Sequence, residues 1–366
     1  MREGQPQSEN YWRFIKVPLK VALAYSSKKG LEREYRKAFK ATIQPGEKLP
    51  ADLFAEGDGP ATLNAVMDGI REGGHEVFGV EADDKAPAKL EKLQPDMVFN
   101  IAEGLFGDFR ESYIPMVCER LRIKYTGSGP LTLGICLNKA RCKEVLSHYG
   151  IPNAEFRIFG PGDKIDLGSF KFPAIVKPNA EGSSKGIFDN SVVDDEKAAK
   201  KLVKEKIAQY GQPVIVESFL DGREFTVAML GNGSSAEVLP VVSICFDELP
   251  PTARKIYSYE AKWIWDTSDK PLEIFKCPAK LTAGEKKAIH SLVLRAKEVL
   301  DIKDWCRMDV RMDSKGNPNI LEINPLPGVL PKPEDNSCFP KAARAAGYTY
   351  SGMLNKILSV AERRQS

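Results

Sequence analysis

The stretch that most limits what this chain can fold into is residues 306–324, reading CRMDVRMDSKGNPNILEIN. Residues 306–312 and 318–324 alternate apolar with polar side chains, the period of a half-buried strand. The run Asp313-Ser-Lys-Gly-Asn317 between them is rich in turn formers, so the pattern predicts a β-hairpin. With Asp313 opposite Pro318, Asp309 would face Glu322 and Arg307 would face Asn324, and side chains of one parity share a face. Two carboxylates directly across a strand pair repel unless a cation lies between them. Oxygens of Asp309, Glu322 and Asn324 at one point suit a hard divalent cation such as Mg²⁺. Replacing either acid by its amide would then relieve the repulsion and weaken the hold on the cation. The plain alternative is the solvated face of an antiparallel strand. Against it, Glu322 and Asn324 sit in the otherwise apolar LEIN, where an acid needs a partner.

A chain of 366 residues has room for two or three domains. Hydrophobic residues make up 42% and charged residues 28%, an ordinary globular balance. With 53 basic and 50 acidic side chains the formal charge is +3, too even to imply nucleic acid or a membrane surface. The seven cysteines are scattered and none forms a C-x-x-C pair, so a reducing cytoplasm fits better than a zinc site or a disulfide framework. No apolar run approaches the ~18 residues of a membrane span. The first residues, MREGQPQSENYWRFIK, lack an apolar signal core and read as a polar tail.

Strands are expected at 20–25, 75–81 and 97–101, with helices at about 61–72 and 111–121. This alternation predicts a parallel, doubly wound sheet. The segment from Ser26 to Gly30 reads as the loop that ends the first strand. A helix at 139–149 stops at Gly150 and Pro152. Beyond it the texture becomes mixed α+β, with strands at 172–177, 214–217 and 224–230. A helix at 283–300 opens on the capping box Thr282-Ala-Gly-Glu285. Its stripe of Ile289, Leu292, Val293, Ala296, Val299 and Leu300 is core, and His290 beside it reads as structural.

Three further lysine-bearing segments need explaining. Lys177 ends a strand and precedes Glu181-Gly-Ser-Ser-Lys-Gly186. The backbone N–H groups of such a Gly/Ser loop can face an anion, and the lysine adds a charge. Taken alone, a turn joining two strands explains it as well. Lys139 opens a helix, an unfavourable place for a cation; a bound phosphate accounts for it, and so does simple solvation. The connector 217–224 can offer backbone groups to a base and a carboxylate to ribose hydroxyls, or merely reverse the chain. Tyr257-Ser-Tyr-Glu-Ala-Lys-Trp263 suits a lid over phosphates or an exposed loop.

Their order is more specific than any one of them. FNIAEGLFG, KYTGSGPLTLGICLNKARCK, FPAIVKPNAEGSSKG, VIVESFLDGREFTVAML, YEAKW, CRMDVRMD and LEINPLPG follow one another as the blocks of a known family. From about residue 97 to 345 the chain resembles the D-alanine–D-alanine ligase family of the ATP-grasp superfamily. The resemblance implies an α/β and α+β fold in three domains of ATP-grasp architecture. These would be a substrate domain (19–131) built as an N-terminal parallel α/β unit, a central ATP-grasp domain (132–222) and a C-terminal catalytic domain (223–366), after a polar tail (1–18). It implies an ATP- and Mg²⁺-dependent ligase joining two amino acids through an acyl phosphate, D-alanyl-D-alanine for a cell wall first among the products. Partners would be ATP, small amino acids and a second copy of the chain as a homodimer, which no residue demands.

By the same resemblance, Asp309, Glu322 and Asn324 would hold two Mg²⁺ ions, or Mn²⁺ in their place. Arg307 would stabilise the transferring phosphoryl group and the tetrahedral intermediate, with the Gly328 N–H as oxyanion partner. Lys139, Lys177 and Lys262 would meet ATP phosphates. Glu217 with Ser218 and Leu220 would read adenine, and Glu224 the ribose. Ser183 would lie in the closing loop and Ser337 near the second substrate's carboxylate, a few residues further from LEIN than is usual. The departures lie in the substrate half. Tyr25-Ser-Ser-Lys-Lys-Gly replaces a Gly-Gly-x-Ser run, with Glu32 or Glu34 as the acid for the first amino group. Glu103-Gly104 replaces His-Gly, Asp108-Phe-Arg-Glu111 replaces Glu-Asp-Gly, Trp263 replaces a tyrosine and Asn138-Lys139 replaces Asp-Lys. Arg110 could then bind a substrate carboxylate and Glu103 or Glu111 an ammonium, or each could be a surface charge. Two other readings stay open: a ligase of other amino acids or peptides in specialised metabolism, and a nucleotide-binding module without ligase activity.

Overall fold

The structure, a computed structural model, describes residues 17–40, 49, 52–265 and 272–365. The expected polar tail lies outside them except for residues 17 and 18. Among the described residues, three sheets form.

The first sheet is parallel, in the order β2-β1-β3-β4, from β1 (Lys20–Tyr25), β2 (Glu76–Glu81), β3 (Met97–Asn100) and β4 (Lys124–Tyr125). Its strands are short apolar runs covered by helices, as a parallel sheet requires. These are α1 (Lys28–Ala38), α2 (Pro60–Arg71), α3 (Ala86–Leu93) and α4 (Tyr113–Leu121). The loop expected after β1 is mostly helix. The Ser27 hydroxyl caps α1 by accepting from the Gly30 N–H. Because α1 buries little beyond Gly30 and Leu31, it lacks the apolar stripe by which a helix is recognised.

Two helices, α5 (Pro130–Leu137) and α6 (Lys139–His148), lead to the second sheet. It runs β5-β8-β6-β7 and is antiparallel, from β5 (Phe156–Phe159), β6 (Ala174–Pro178), β7 (Val192–Val193) and β8 (Val214–Ser218). Helix α7 (Glu196–Tyr210) packs on it, capped by Asp195 and ended by Gly211 in the left-handed conformation.

The third sheet is also antiparallel. Its main path is β12-β11-β9-β13-β14, with β10 on β9. The strands are β9 (Glu224–Leu230), β10 (Glu237–Val238), β11 (Val242–Ile244), β12 (Phe275–Lys276), β13 (Trp305–Met312) and β14 (Pro318–Asn324). Helix α8 (Ala283–Val299) has the expected reciprocal capping box of Thr282 and Glu285. Two more helices follow, α9 (Cys338–Ala345) and α10 (Tyr350–Arg364). α10 returns to the first sheet's α2, where Ser351 Oγ and Asn355 Nδ2 donate to the Gly69 carbonyl at 2.6 and 2.8 Å. Val21, Phe99, Trp305, Phe339 and Met353 accordingly belong to one continuous core. No helix among the described residues is long and apolar enough to cross a membrane.

The hairpin forms with one correction. Arg307 pairs with Asn324 and Asp309 with Glu322, but Met312, not Asp313, faces Pro318. A bulge between Asp309 and Val310 absorbs the difference by giving β14 one extra residue, Leu321. The bulge sets Ile320 into the core and leaves Glu322 and Asn324 on the opposite, accessible face.

Candidate active site

The second and third sheets meet across a cleft of about 650 Å³ that also reaches the first sheet. Every expected site residue lines it except Arg110 and the two alternative acids Glu32 and Glu34.

At its floor lies the hairpin. Strand alternation puts Arg307, Asp309 and Arg311 on one face of β13, and β9 sets Glu224 opposite Arg311. Arg307 donates from Nη2 to Asp309 Oδ2 at 2.9 Å, and Asn324 Nδ2 lies 3.4 Å from the same oxygen. Lys139, at the start of α6, reaches across to Glu322 Oε1 at 2.7 Å. The repulsion expected between Asp309 and Glu322 is thus already offset by two protein cations. Burial pushes the Glu322 carboxyl up, but Lys139 and Lys177 outweigh it and bring it down to about 2. Arg311 donates to Glu224 at 2.8 Å, yet burial still raises Glu224 to about 7.

Two acids and one amide form an all-oxygen donor set. Among the described residues, no three or more His, Cys, Asp or Glu side chains gather as a complete metal cage. The residues fit Mg²⁺ in the manner usual for that ion, which takes one or two carboxylates and completes its shell with water and substrate phosphates.

Above the hairpin, Lys177 on β6 and Glu217 on β8 face each other diagonally: Ile175 is opposite Glu217 and Lys177 is opposite Ile215. Lys177 Nζ lies 3.1 Å from Glu217 Oε1, and Lys143 Nζ, one turn beyond Lys139, lies 3.4 Å from Oε2. Burial raises the Glu217 carboxyl, but Lys143 and Lys177 hold it below its usual range. Ser183 and Ser184 adopt φ of +51° and +60°, an uncommon left-handed turn for residues with a side chain. The Lys139 ammonium donates to the Glu181 carbonyl in that loop. Lys262 lies in a π-helical turn, Ala261–Trp265, and burial with the nearby Arg307 charge lowers it to about 8. Ser337 Oγ donates to the Gly328 carbonyl at 3.1 Å.

At the other end the wall is acidic. Glu56, Asp58, Glu103 and Glu111 line it, while Arg110 lies behind. Its guanidinium meets Glu56 at 2.9 Å, Glu103 at 3.8 Å and Glu111 at 4.0 Å. The arginine expected to receive a substrate carboxylate therefore serves these acids. Burial raises Glu103 well above its usual value and Glu111 to about 7, despite Arg110. Neither Glu32, paired with Arg36 on the α1 surface, nor Glu34 lines the cleft. Glu56 and Asp58 line it instead, and Glu56 also accepts from the Gly182 N–H at 2.9 Å. Sequence reading passed over these two and Lys143. The signals were the compact Glu56-Gly-Asp-Gly59 run and the four-residue spacing from Lys139 to Lys143.

Residues 145–359 match the family model described as D-ala D-ala ligase C-terminus. An uncharacterized protein of Sinorhizobium fredii is 33% identical over 329 residues, 88% of this chain and 91% of its own. A D-alanine–D-alanine ligase of Actinobacillus succinogenes is 31% identical over 302 residues, 81% of this chain and 90% of its own. Among solved structures, a D-alanine–D-alanine ligase from Bacillus anthracis complexed with ATP superposes with a TM-score of 0.69 at 19% identity. It spans 95% of this chain and 98% of that one, a likeness of fold.

Proposed function

The chain belongs to the D-alanine–D-alanine ligase family, and from that membership we propose that it joins two D-alanine molecules for a cell wall, in the cytoplasm and as a homodimer. It is an ATP-dependent, ADP-forming ligase that makes a peptide bond. The carboxylate of the first amino acid would take the terminal phosphoryl group of ATP, leaving ADP. The amine of the second would attack the acyl phosphate, lose a proton and expel inorganic phosphate through a tetrahedral intermediate. The free cysteines agree with a reducing compartment.

One observation carries the reading. The bulged hairpin sets Arg307, Asp309, Glu322 and Asn324 on the wall of a cleft that Lys139, Lys177, Lys262 and Glu217 also line. Phosphoryl transfer needs positioning and charge neutralisation more than covalent chemistry, and these groups offer both. Asp309, Glu322 and Asn324 would hold Mg²⁺, which supplies charge neutralisation to phosphate oxygens. Lys139, Lys177 and Lys262 would bind phosphates, and Glu217, Ser218, Leu220 and Glu224 the nucleoside. Ser183 would close over the phosphates. Arg307 and the Gly328 N–H would stabilise charge that develops at the reacting centre. The division into domains at 131/132 and 222/223 goes with this reading.

A second reading keeps the chemistry and changes the amino acids. It is favoured by the acidic wall of Glu56, Asp58, Glu103 and Glu111, which suits an ammonium group better than a methyl side chain. Family membership speaks against a nucleotide-binding module without ligase activity. Phosphate release with ATP and Mg²⁺ over a panel of D- and L-amino acids tests both readings. Stimulation by D-alanine alone supports the first, and stimulation by a diamino acid or amine supports the second. ATP bound without release under any condition would overturn both.

A further inference from the structure

Glu217 is 1% exposed and Lys143 is 2% exposed. The Lys143 ammonium and Glu217 Oε1 are each buried without a hydrogen bond, although both lysines lie close enough to attract the carboxylate. Glu217 Oε1 has the Lys177 ammonium 3.1 Å away but no well-aligned hydrogen bond, and a buried acceptor held so loosely is costly. The carboxylate lines the cleft and so does Lys177, whereas Lys143 lies behind and does not. Two cations therefore share one acid, and only one of them can reach a ligand.

This division has a consequence that rests on the nucleotide reading of the cleft. When Lys177 turns to a phosphate, Glu217 loses its nearer cation. In a buried site an uncompensated carboxylate tends to take up a proton. A protonated acid would present a donor where an acceptor is needed. Lys143 is fixed on α6, cannot leave for the phosphates and remains beside Oε2.

We propose that Lys143 is a positioning residue for base selection: it holds Glu217 as a fixed, ionised acceptor while Lys177 serves the phosphates, so that the site favours a 6-amino purine over a 6-oxo purine. Lys143 touches no substrate and acts through Glu217.

The test compares binding of ATP and inosine triphosphate, with Mg²⁺ and no amino acid, by displacement of a fluorescent nucleotide from the full chain. Wild type should prefer ATP. Lys143→Met should narrow the preference by about tenfold, the worth of a hydrogen bond to a charged group, chiefly through weaker ATP binding. Lys143→Arg should restore most of it. In turnover, Lys143→Met should raise the KM for ATP more than it lowers kcat. If Lys143→Met does not fold, Lys143→Gln is read in the same way. An unchanged ratio in a folded variant with a lowered melting temperature would make Lys143 purely structural and overturn the proposal, as would a wild type without preference. Because binding is read without amino acid, the outcome is independent of whether the ligase reading holds.

Discussion

Arg307 lies at the cleft floor with one guanidinium nitrogen on Asp309 and its Nε buried without a partner. A donor held ready in this way is of most use where charge develops during reaction. Arg307→Ala should lower kcat by about a hundredfold or more while changing the KM for ATP little. Steady-state kinetics decide it, and a matched loss in ATP affinity would count against that role. Glu322 differs from what its sequence suggested. Because Lys139 is buried against it, Glu322→Gln would take from that ammonium its ion-pair partner and should destabilise the fold by roughly 1–3 kcal/mol, the cost of a buried polar group that loses its partner. Urea unfolding would detect this; a stabilised variant would mean that repulsion dominates after all. Glu111 gives a pH dependence of definite sign. Its folded carboxyl is raised to about 7 from an ordinary 4.5, so the folded state holds the proton more tightly. Stability on this account falls as pH rises from 4.5 to 7 and then levels. Glu111→Gln should remove that fall, gaining roughly 3 kcal/mol relative to wild type between pH 5 and pH 8. Denaturation midpoints of the two proteins at both pH values provide the check.

At the scale of elements, the signals that proved readable were local and periodic. β1 and β9 have the bounds that their apolar runs suggest, and the Thr282–Glu285 box starts α8 where expected. Helices α1 and α7 went unread because charged residues dominate them and their buried residues are few. The hairpin was legible in its pairing and not in its turn. The adjacent apolar pair Ile320-Leu321 breaks the alternation, and that break is the bulge. Deleting Leu321 should therefore remove the bulge and leave Ile320 and Glu322 as neighbours on opposite faces, with Glu322 still across from Asp309. The deletion variant should keep its cooperative unfolding transition and still bind nucleotide. Loss of both would show that the extra residue is needed to hold Glu322 and Asn324 at the cleft. The site was legible where it lies on regular strands and helices. It was not where an irregular segment supplies it, as at Glu56 and Asp58, whose position depends on long-range packing.

For the whole molecule, the shared core matters more than the expected division into units. The N-terminal sheet and the C-terminal helices bury their side chains together, so they should unfold in one transition. The contact is close at Gly69, where an added Cβ would lie 2.8 Å from Leu354 Cδ1. Gly69→Val should overpack this joint and cost roughly 1–3 kcal/mol. Calorimetry should give one lowered peak; a split peak would show that the two ends fold separately. The return of α10 to α2 also bears on how the protein is made. A ribosome delivers α2 long before residues 350–364, so the nascent first sheet waits with part of its apolar face uncovered. That surface is open to chaperones or to misassociation until translation nears its end, when α10 can cover it.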